Sequence, residues 1–427
     1  MVFIEKSERR SALRSVGAIA VAGALVASLV SCSTDSEEPT SDASGHVRLW
    51  SWVPPDVSEQ PAAYQASADR WIEAGEGRSY EYVLQDAGQY NALLRTALLS
   101  GEPPEIANVN SDSIAAMVDS GQLTDITDFV ATLPALDSVM FERYKLDGRV
   151  YSYWVDVQAE GVLYNKTLFE ELGLEIPTTL AEMAALSAPL RAAGVEPLLI
   201  PLAETWIGAD LWFQGLAYSD ASDTALARAE AGEIPWTSPE FVGAGEYLEA
   251  IAESGMLIDA ATSIGALDGY QLFATGEAAM FYPGAWWSHG AIEPIVDGEW
   301  EIDVFALPPI EAGVTPRAIG SPASTFVFPS EAENQEAAFE LVRFMASPEG
   351  QNEFAIRGSV PGVAGSPSPD PAPFNAYPGL LALQENAASR VIFIADVMAA
   401  LTTAAEGIWR DSIDAAGIAA AMQDAAP

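Results

Sequence analysis

The residues of this chain best equipped for chemistry are its 11 Trp and its 61 Asp and Glu. Several Trp fall where an apolar run should give way to a loop. Trp50 and Trp52 end the first such run, Trp154 ends a later one, and Trp286 and Trp287 follow Pro283-Gly284. In open α/β sheets, ligands sit outside the carboxyl ends of the strands. A flat indole beside carboxylate and carbonyl acceptors suits a sugar. The C–H face of the ring stacks on the π-face, and the hydroxyls need donors and acceptors. The same walls suit an organic cation. Each Trp can equally be core, and Trp71 and Trp409, at helical positions, are expected there. Trp50 is expected to turn into the core and Trp52 toward the loop, because Pro54-Pro55 forces the chain out of the strand.

Other chemistry is scarce. There is no G-x-x-x-x-G-K-[ST], no G-x-G-x-x-G opening a helix, no H-E-x-x-H and no G-x-S-x-G. One Cys and two His leave no zinc cluster and no disulfide framework. A carboxylate pair could hydrolyse a glycoside without His, but with 61 acids such pairs arise by chance. Lys and Arg total 19, so the formal charge is −42. That excess argues against nucleic acid and against adhesion to anionic lipid through a basic patch. It steers cations at long range, yet net charge mainly reports solubility.

The elements that must position these residues alternate. Of 427 residues, 49% are hydrophobic, enough for two or three domains with sizeable cores. Strands are predicted at Val47–Trp52, Tyr80–Leu84, Ile106–Val109, Val150–Val155, Gly161–Tyr164, Pro197–Pro201 and Glu301–Leu307. Helices are predicted at Tyr90–Leu99, Leu168–Leu172, Leu180–Ala193, Ala337–Ala346 and through the Ala-rich stretch from Leu380. Ser111 and Asp112 are expected to cap a helix running to Asp119. Ser366–Pro378, rich in Pro, should be irregular. Alternation of this kind predicts βαβ units and a mostly parallel sheet.

The first residues read as an address. Lys6, Arg9, Arg10 and Arg14 precede an uncharged apolar run, Val16–Val30, too short for a membrane span. The run ends in Leu29-Val30-Ser31-Cys32, which resembles a bacterial lipobox with Cys32 as the lipidated residue. Arg9-Arg10 also resembles a twin-arginine signal, and the export route stays open. Residues 1–31 carry net +2, so their removal would leave −44. Ser33–Gly45 are too polar to fold and should form a tether.

Taken in order, a series of strings carries a resemblance. They are Leu49-Trp50-Ser51-Trp52, Pro104-Glu105-Ile106, Gly121-Gln122-Leu123-Thr124-Asp125-Ile126 and Asp147-Gly148-Arg149-Val150-Tyr151. Leu163-Tyr164-Asn165-Lys166-Thr167-Leu168-Phe169 follows, the most distinctive of them. Then come Phe273–Met280 with Gly284-Ala285-Trp286, Leu307-Pro308-Pro309 and Ser347-Pro348-Glu349-Gly350-Gln351. Over nearly all of 46–427 the chain resembles the extracellular solute-binding proteins of bacterial ABC importers, in the family-1 group that includes maltose-binding protein and carbohydrate-binding lipoproteins. Ser152-Tyr153-Trp154 departs from the family, which often has Pro there.

The resemblance implies an α/β, two-lobe, type II periplasmic-binding-protein-like fold with a ligand cleft between lobes joined by three crossing segments. The expected division is a signal peptide at 1–31, a tether at 32–45, lobe one at 46–153 and 309–357, and lobe two at 160–303 and 363–427. Crossings are expected near 153–159, 304–308 and 358–362. The implied ligand-binding residues are Trp52, Asp86, Ser111, Asp112, Trp154, Gln158, Trp206, Trp286, Trp287, Gly320, Ser321 and Arg357. No catalytic residue, metal or cofactor is implied. The expected partners are a small carbohydrate and the permease subunits of an importer. The expected state is a monomer held outside the cell membrane by the lipid on Cys32. Two alternatives remain at this stage: the same scaffold binding a cation such as a polyamine, and a lipid-anchored enzyme acting on glycosides.

Overall fold

The computed structural model describes residues 45–54, 58–136, 138–220, 222–283, 292–385 and 387–427, without the side chains of 138–140, 222 and 223. The signal and tether, Cys32, Trp286 and Trp287 lie outside the described residues. In chain order the strands are β1 His46–Ser51, β2 Ser79–Leu84, β3 Ile106–Val109, β4 Ser152–Tyr153, β5 Asp156–Ala159, β6 Val162–Asn165 and β7 Glu196–Leu199. They continue with β8 Ala278–Phe281, β9 Ile302–Phe305, β10 Ile319–Pro322, β11 Thr325–Val327, β12 Val360–Pro361 and β13 Ala388–Ser389.

These strands form three sheets, with orders β2-β1-β3-β11-β4, β12-β5-β10-β13 and β7-β8-β6-β9. The first belongs to lobe one and the third to lobe two. Strands β5, β10 and β12 of the second carry the chain between them. The sheets are mixed rather than mostly parallel. β1 runs parallel to β2 and β3, whereas β11 runs antiparallel to β3 and β4. The reason is connectivity: β11 enters lobe one directly from β10, so it runs against strands that end at that edge. β6 enters lobe two from β5 and is likewise antiparallel to β8 and β9.

The second crossing is β10, Ile319–Pro322, and not Val304–Pro308. β9 pairs with β6 inside lobe two, register Leu163 to Val304. The following loop stays there as well: Tyr247 Oη donates to the Pro308 carbonyl, 2.7 Å, Leu180 N to the Pro309 carbonyl, 2.8 Å, and Gln214 Nε2 to the Arg317 carbonyl, 2.7 Å. Residues 309–318 therefore pack on lobe two.

Both faces of the lobe-two sheet are buried, so its strands read as apolar runs. Leu163, Phe281 and Ile302 join the cluster that holds lobe one, while Val162, Met280 and Phe305 join a second cluster with the C-terminal helices. Trp71 is buried as expected, and Trp409 is half-buried. Of the 11 Trp, four are buried (Trp71, Trp154, Trp212 and Trp236), and five of the rest are half-buried. Arg143 of lobe one reaches Glu230 of lobe two at 2.6 Å, a half-buried ion pair beside β13.

Candidate functional site

The carboxyl ends of β1, β2 and β3 lie at one edge, since Ser51 pairs with Leu84 and Trp50 with Ala107. Trp52, Asp86, Ser111 and Asp112 follow these ends, so the fold brings four of the predicted residues together. The half-buried Trp52 meets Tyr90 edge-on at 4.9 Å, and Asp86 is exposed. Ser111–Ser113 forms a 3-10 turn rather than a side-chain cap, and the Ser113 hydroxyl donates to Asp112 Oδ1, 3.2 Å. Tyr144 lies against this turn. Burial pushes its pKa up to about 12, against a hydrogen bond with Ser111 and the charges of Arg390 and Arg143.

Trp50 and Trp52 do not divide between core and loop. Trp50 is the penultimate residue of β1 and Trp52 lies just past its end, and both are half-buried against the same core. The intervening Ser51 is fully buried. It begins a polar floor beneath the edge. Asn108 Nδ2 donates to Ser51 Oγ, 3.2 Å, and to Ser324 Oγ, 3.1 Å. Further in, Tyr64 Oη and Ser359 Oγ each donate to Asp156 of β5, both at 3.0 Å. Burial raises the Asp156 pKa to about 7 despite these two bonds. Glu59 is pushed up to about 8, by burial first and also by the charge of Asp156.

On the crossing sheet, Ser321 stands opposite Gln158, whose Nε2 donates to Ser321 Oγ at 3.2 Å. Ser321 Oγ also accepts from Arg390 Nε, 3.3 Å. Arg390 Nη1 contacts Asp210 Oδ1 at 2.5 Å and Glu160 Oε1 at 2.9 Å. Tyr282 Oη donates to Glu160 Oε2, 2.8 Å. Glu160 is fully buried and Asp210 nearly so. Burial raises the pKa of both. The charge of Asp210 raises Glu160 further, and Arg390 opposes the rise in both. One cation thus serves two acids within hydrogen-bonding reach of each other.

On lobe two, Trp206, Asp210 and Gln214 recur every four residues of the helix Thr205–Leu216 and share its face. The half-buried Trp206 stands at the helix start. β7 and β8 are parallel neighbours with Leu199 beside Phe281. The chain toward Trp206 and the chain through Tyr282-Pro283 therefore leave the same edge.

Three predicted residues are placed elsewhere. Trp154 is fully buried, with Phe141 at 5.9 Å and Tyr144 at 4.9 Å, because their segment closes over the end of β4. Gly320 is enclosed: a Cβ there would lie 2.7 Å from that of Ala387, so this Gly serves close strand packing. Arg357 is committed to Glu353 Oε2, 2.5 Å, on its own helix, and Glu353 also faces Arg70 at 3.6 Å.

Sequence reasoning missed Arg390, Asp210, Glu160 and Tyr282. A signal for two of them existed. Asp210 is the only charge in Thr205–Leu216, and Glu160 sits between two apolar strands. A lone acid in an apolar run must find a partner. Among the described residues, no group of three or more His, Cys, Asp and Glu is placed to hold a metal ion. Nor is any helix among them long and apolar enough to cross a membrane.

This architecture recurs in known proteins. A chitin oligosaccharide binding protein superposes with a TM-score of 0.70 at 19% identity, covering 88% of this chain and 97% of that one. The multiple sugar-binding protein of Streptococcus mutans is 25% identical over 292 residues, 66% of this chain and 67% of that protein. An ABC transporter extracellular-binding protein of Pyrococcus horikoshii is 26% identical over 277 residues, 63% of this chain, and the match spans 60% of that protein's length. The profile of the family described as bacterial extracellular solute-binding protein matches residues 55–352. With that match over more than half of its length, and two lobes joined by three crossing strands, the chain belongs to the bacterial extracellular solute-binding proteins.

Proposed function

We propose that this protein captures a sugar or oligosaccharide between its lobes and delivers it to the permease of an ABC importer, without altering it. One observation carries the reading. The carboxyl edge of lobe one (Trp52, Ser111, Asp112), the crossing pair Gln158–Ser321 and the Trp206 face of lobe two are all set around the crossing strands. Half-buried indoles offer a stacking face, and hydroxyls, an amide and carboxylates offer bonds to sugar hydroxyls. A ligand that touches both lobes supplies the free-energy difference that closes them. The sugar named in the description of one relative and the chitin oligosaccharide named in that of a structural neighbour support the same class.

In this reading residues 1–31 direct export, and lipid on Cys32 holds a monomer at the outer face of the membrane. Trp286 and Trp287, which follow β8 in sequence, are proposed as further residues that stack on the sugar.

A thermal-shift screen tests the proposal, because a ligand bound only by the folded state raises the melting temperature. The expected outcome is a saturable rise with a neutral sugar, none with spermidine, and no product after prolonged incubation. A rise with spermidine alone would favour the cationic ligand. Turnover of a glycoside would establish an enzyme.

A further inference from the structure

We infer that Arg390 is a ligand-contacting residue selective for uncharged sugars, and that Asp210 and Glu160 are the positioning residues that aim it. The inference rests on the carbohydrate reading above and names the class of sugar.

The argument begins with the guanidinium. Its Nη1 is spent on Asp210 and Glu160, and its Nε on Ser321. Nη2 is left without an acceptor among the described residues. The side chain is 20% exposed, whereas the two acids are 4% and 1% exposed, so the arginine meets the solvent side of the cluster.

Its surroundings are those of the cleft. Ser321 and Gln158 adjoin it on the crossing sheet. The helix Ala395–Ile408, which starts five residues later, lies against the Ser111–Ser113 turn of lobe one. Tyr144, bonded to Ser111, lies within its electrostatic reach. Arg390 therefore stands where the predicted polar residues of the crossing and of lobe one converge.

The charge balance then selects the ligand. Ionised Asp210 cancels the guanidinium. Glu160 lies against the same guanidinium, and burial with the charge of Asp210 raises its pKa, so one cation faces two acids and the cluster carries no net positive charge. An uncompensated guanidinium in a closed cleft favours a carboxylate or phosphate. A compensated and fixed one donates from Nη2 to a hydroxyl or ring oxygen without calling for a counter-charge. Sugars bearing a carboxylate or phosphate would instead add an unbalanced negative charge beside Asp210.

Titration calorimetry on the purified full chain tests this with raffinose, maltotriose and diacetylchitobiose as neutral probes and digalacturonate as the acidic probe. The expected result is binding of at least one neutral probe and none of digalacturonate. R390K should then weaken the best neutral probe at least tenfold while the protein stays folded, because Lys keeps the charge and loses the aimed second nitrogen. Should R390K fail to fold, the double variant R390Q/D210N removes both charges together and should show the same loss. Unweakened binding in whichever of these variants folds would overturn the role of Arg390 alone, as would tighter binding of digalacturonate. Binding of no neutral probe by the unaltered protein would overturn the carbohydrate reading and this inference with it.

Discussion

Strand β5 is flanked by two buried acids that are held in opposite ways. Asp156, at its start, accepts from the hydroxyls of Tyr64 and Ser359 and has no cationic partner among the described residues. Glu160, just past its end, belongs to a cluster with Arg390, Asp210 and Tyr282. Hydroxyls bind a carboxylate or a carboxylic acid by turning their protons, so the Asp156 site can hold either form. The Glu160 site is set by charge, and its single cation is shared with Asp210. The lobe-one end of the crossing is thus a neutral anchor that responds to pH, and the lobe-two end is a fixed electrostatic frame.

The largest effect should come from removing that frame's cation. Arg390→Ala leaves two buried acids without a counter-charge and is expected to cost about 3–5 kcal/mol. Urea denaturation of the variant and the parent measures this. A cost below about 1 kcal/mol would mean that the frame is not electrostatic.

The other end should betray itself through pH. Asp156 has a folded pKa of about 7, above that of an unfolded Asp. The folded state therefore holds a proton that the unfolded state has lost, and stability falls as pH rises from about 4 to about 7. The contribution is about 4 kcal/mol across that window. Asp156→Asn should flatten the melting temperature against pH there, with Glu59 leaving a residual slope. An unchanged slope would place the Asp156 proton elsewhere.

Ligand binding should be sensitive where neither anchor is. Trp286→Ala is expected to weaken sugar binding by at least ~1 kcal/mol with little loss of fold, as for a buried aromatic contact. Calorimetry and a melting curve separate the two effects.

The smallest change should be Glu160→Gln. Burial and the charge of Asp210 already raise the Glu160 pKa, and the amide keeps an oxygen for Tyr282. Stability should shift by less than about 1 kcal/mol. A large loss would mean that Glu160 is ionised, and the contrast between the two ends of β5 would be weaker.

Much of the fold was legible because it is local. Ile106–Val109 reads as a short apolar run, and Tyr90–Ser100 as a helical spacing that Gly101 ends in the left-handed region. The predicted helix Leu180–Ala193 is two helices meeting at Leu186, and Pro189 explains the break, since it can give no N–H to residue 185. What local reading misplaced was decided far away. Ile302–Phe305 and Ile319–Pro322 are both short apolar runs, and only pairing with β6 or β5 makes one a lobe strand and the other a crossing. The site divides the same way. Trp52, Ser111 and Asp112 were visible as residues just past strand ends. The cluster of Glu160, Asp210 and Arg390 joins positions 50 and 180 residues apart and has no short-range signature.

The pairing of Gln158 with Ser321 on two crossing strands bears on the timing of capture. Groups near the axis of a swinging door scarcely travel, while those at its leading edges sweep far. An arriving guest would find the amide and the hydroxyl already in place with the door ajar. The tryptophan of one panel and the serine turn of the other would arrive last, so the axis would govern entry and the edges the length of stay.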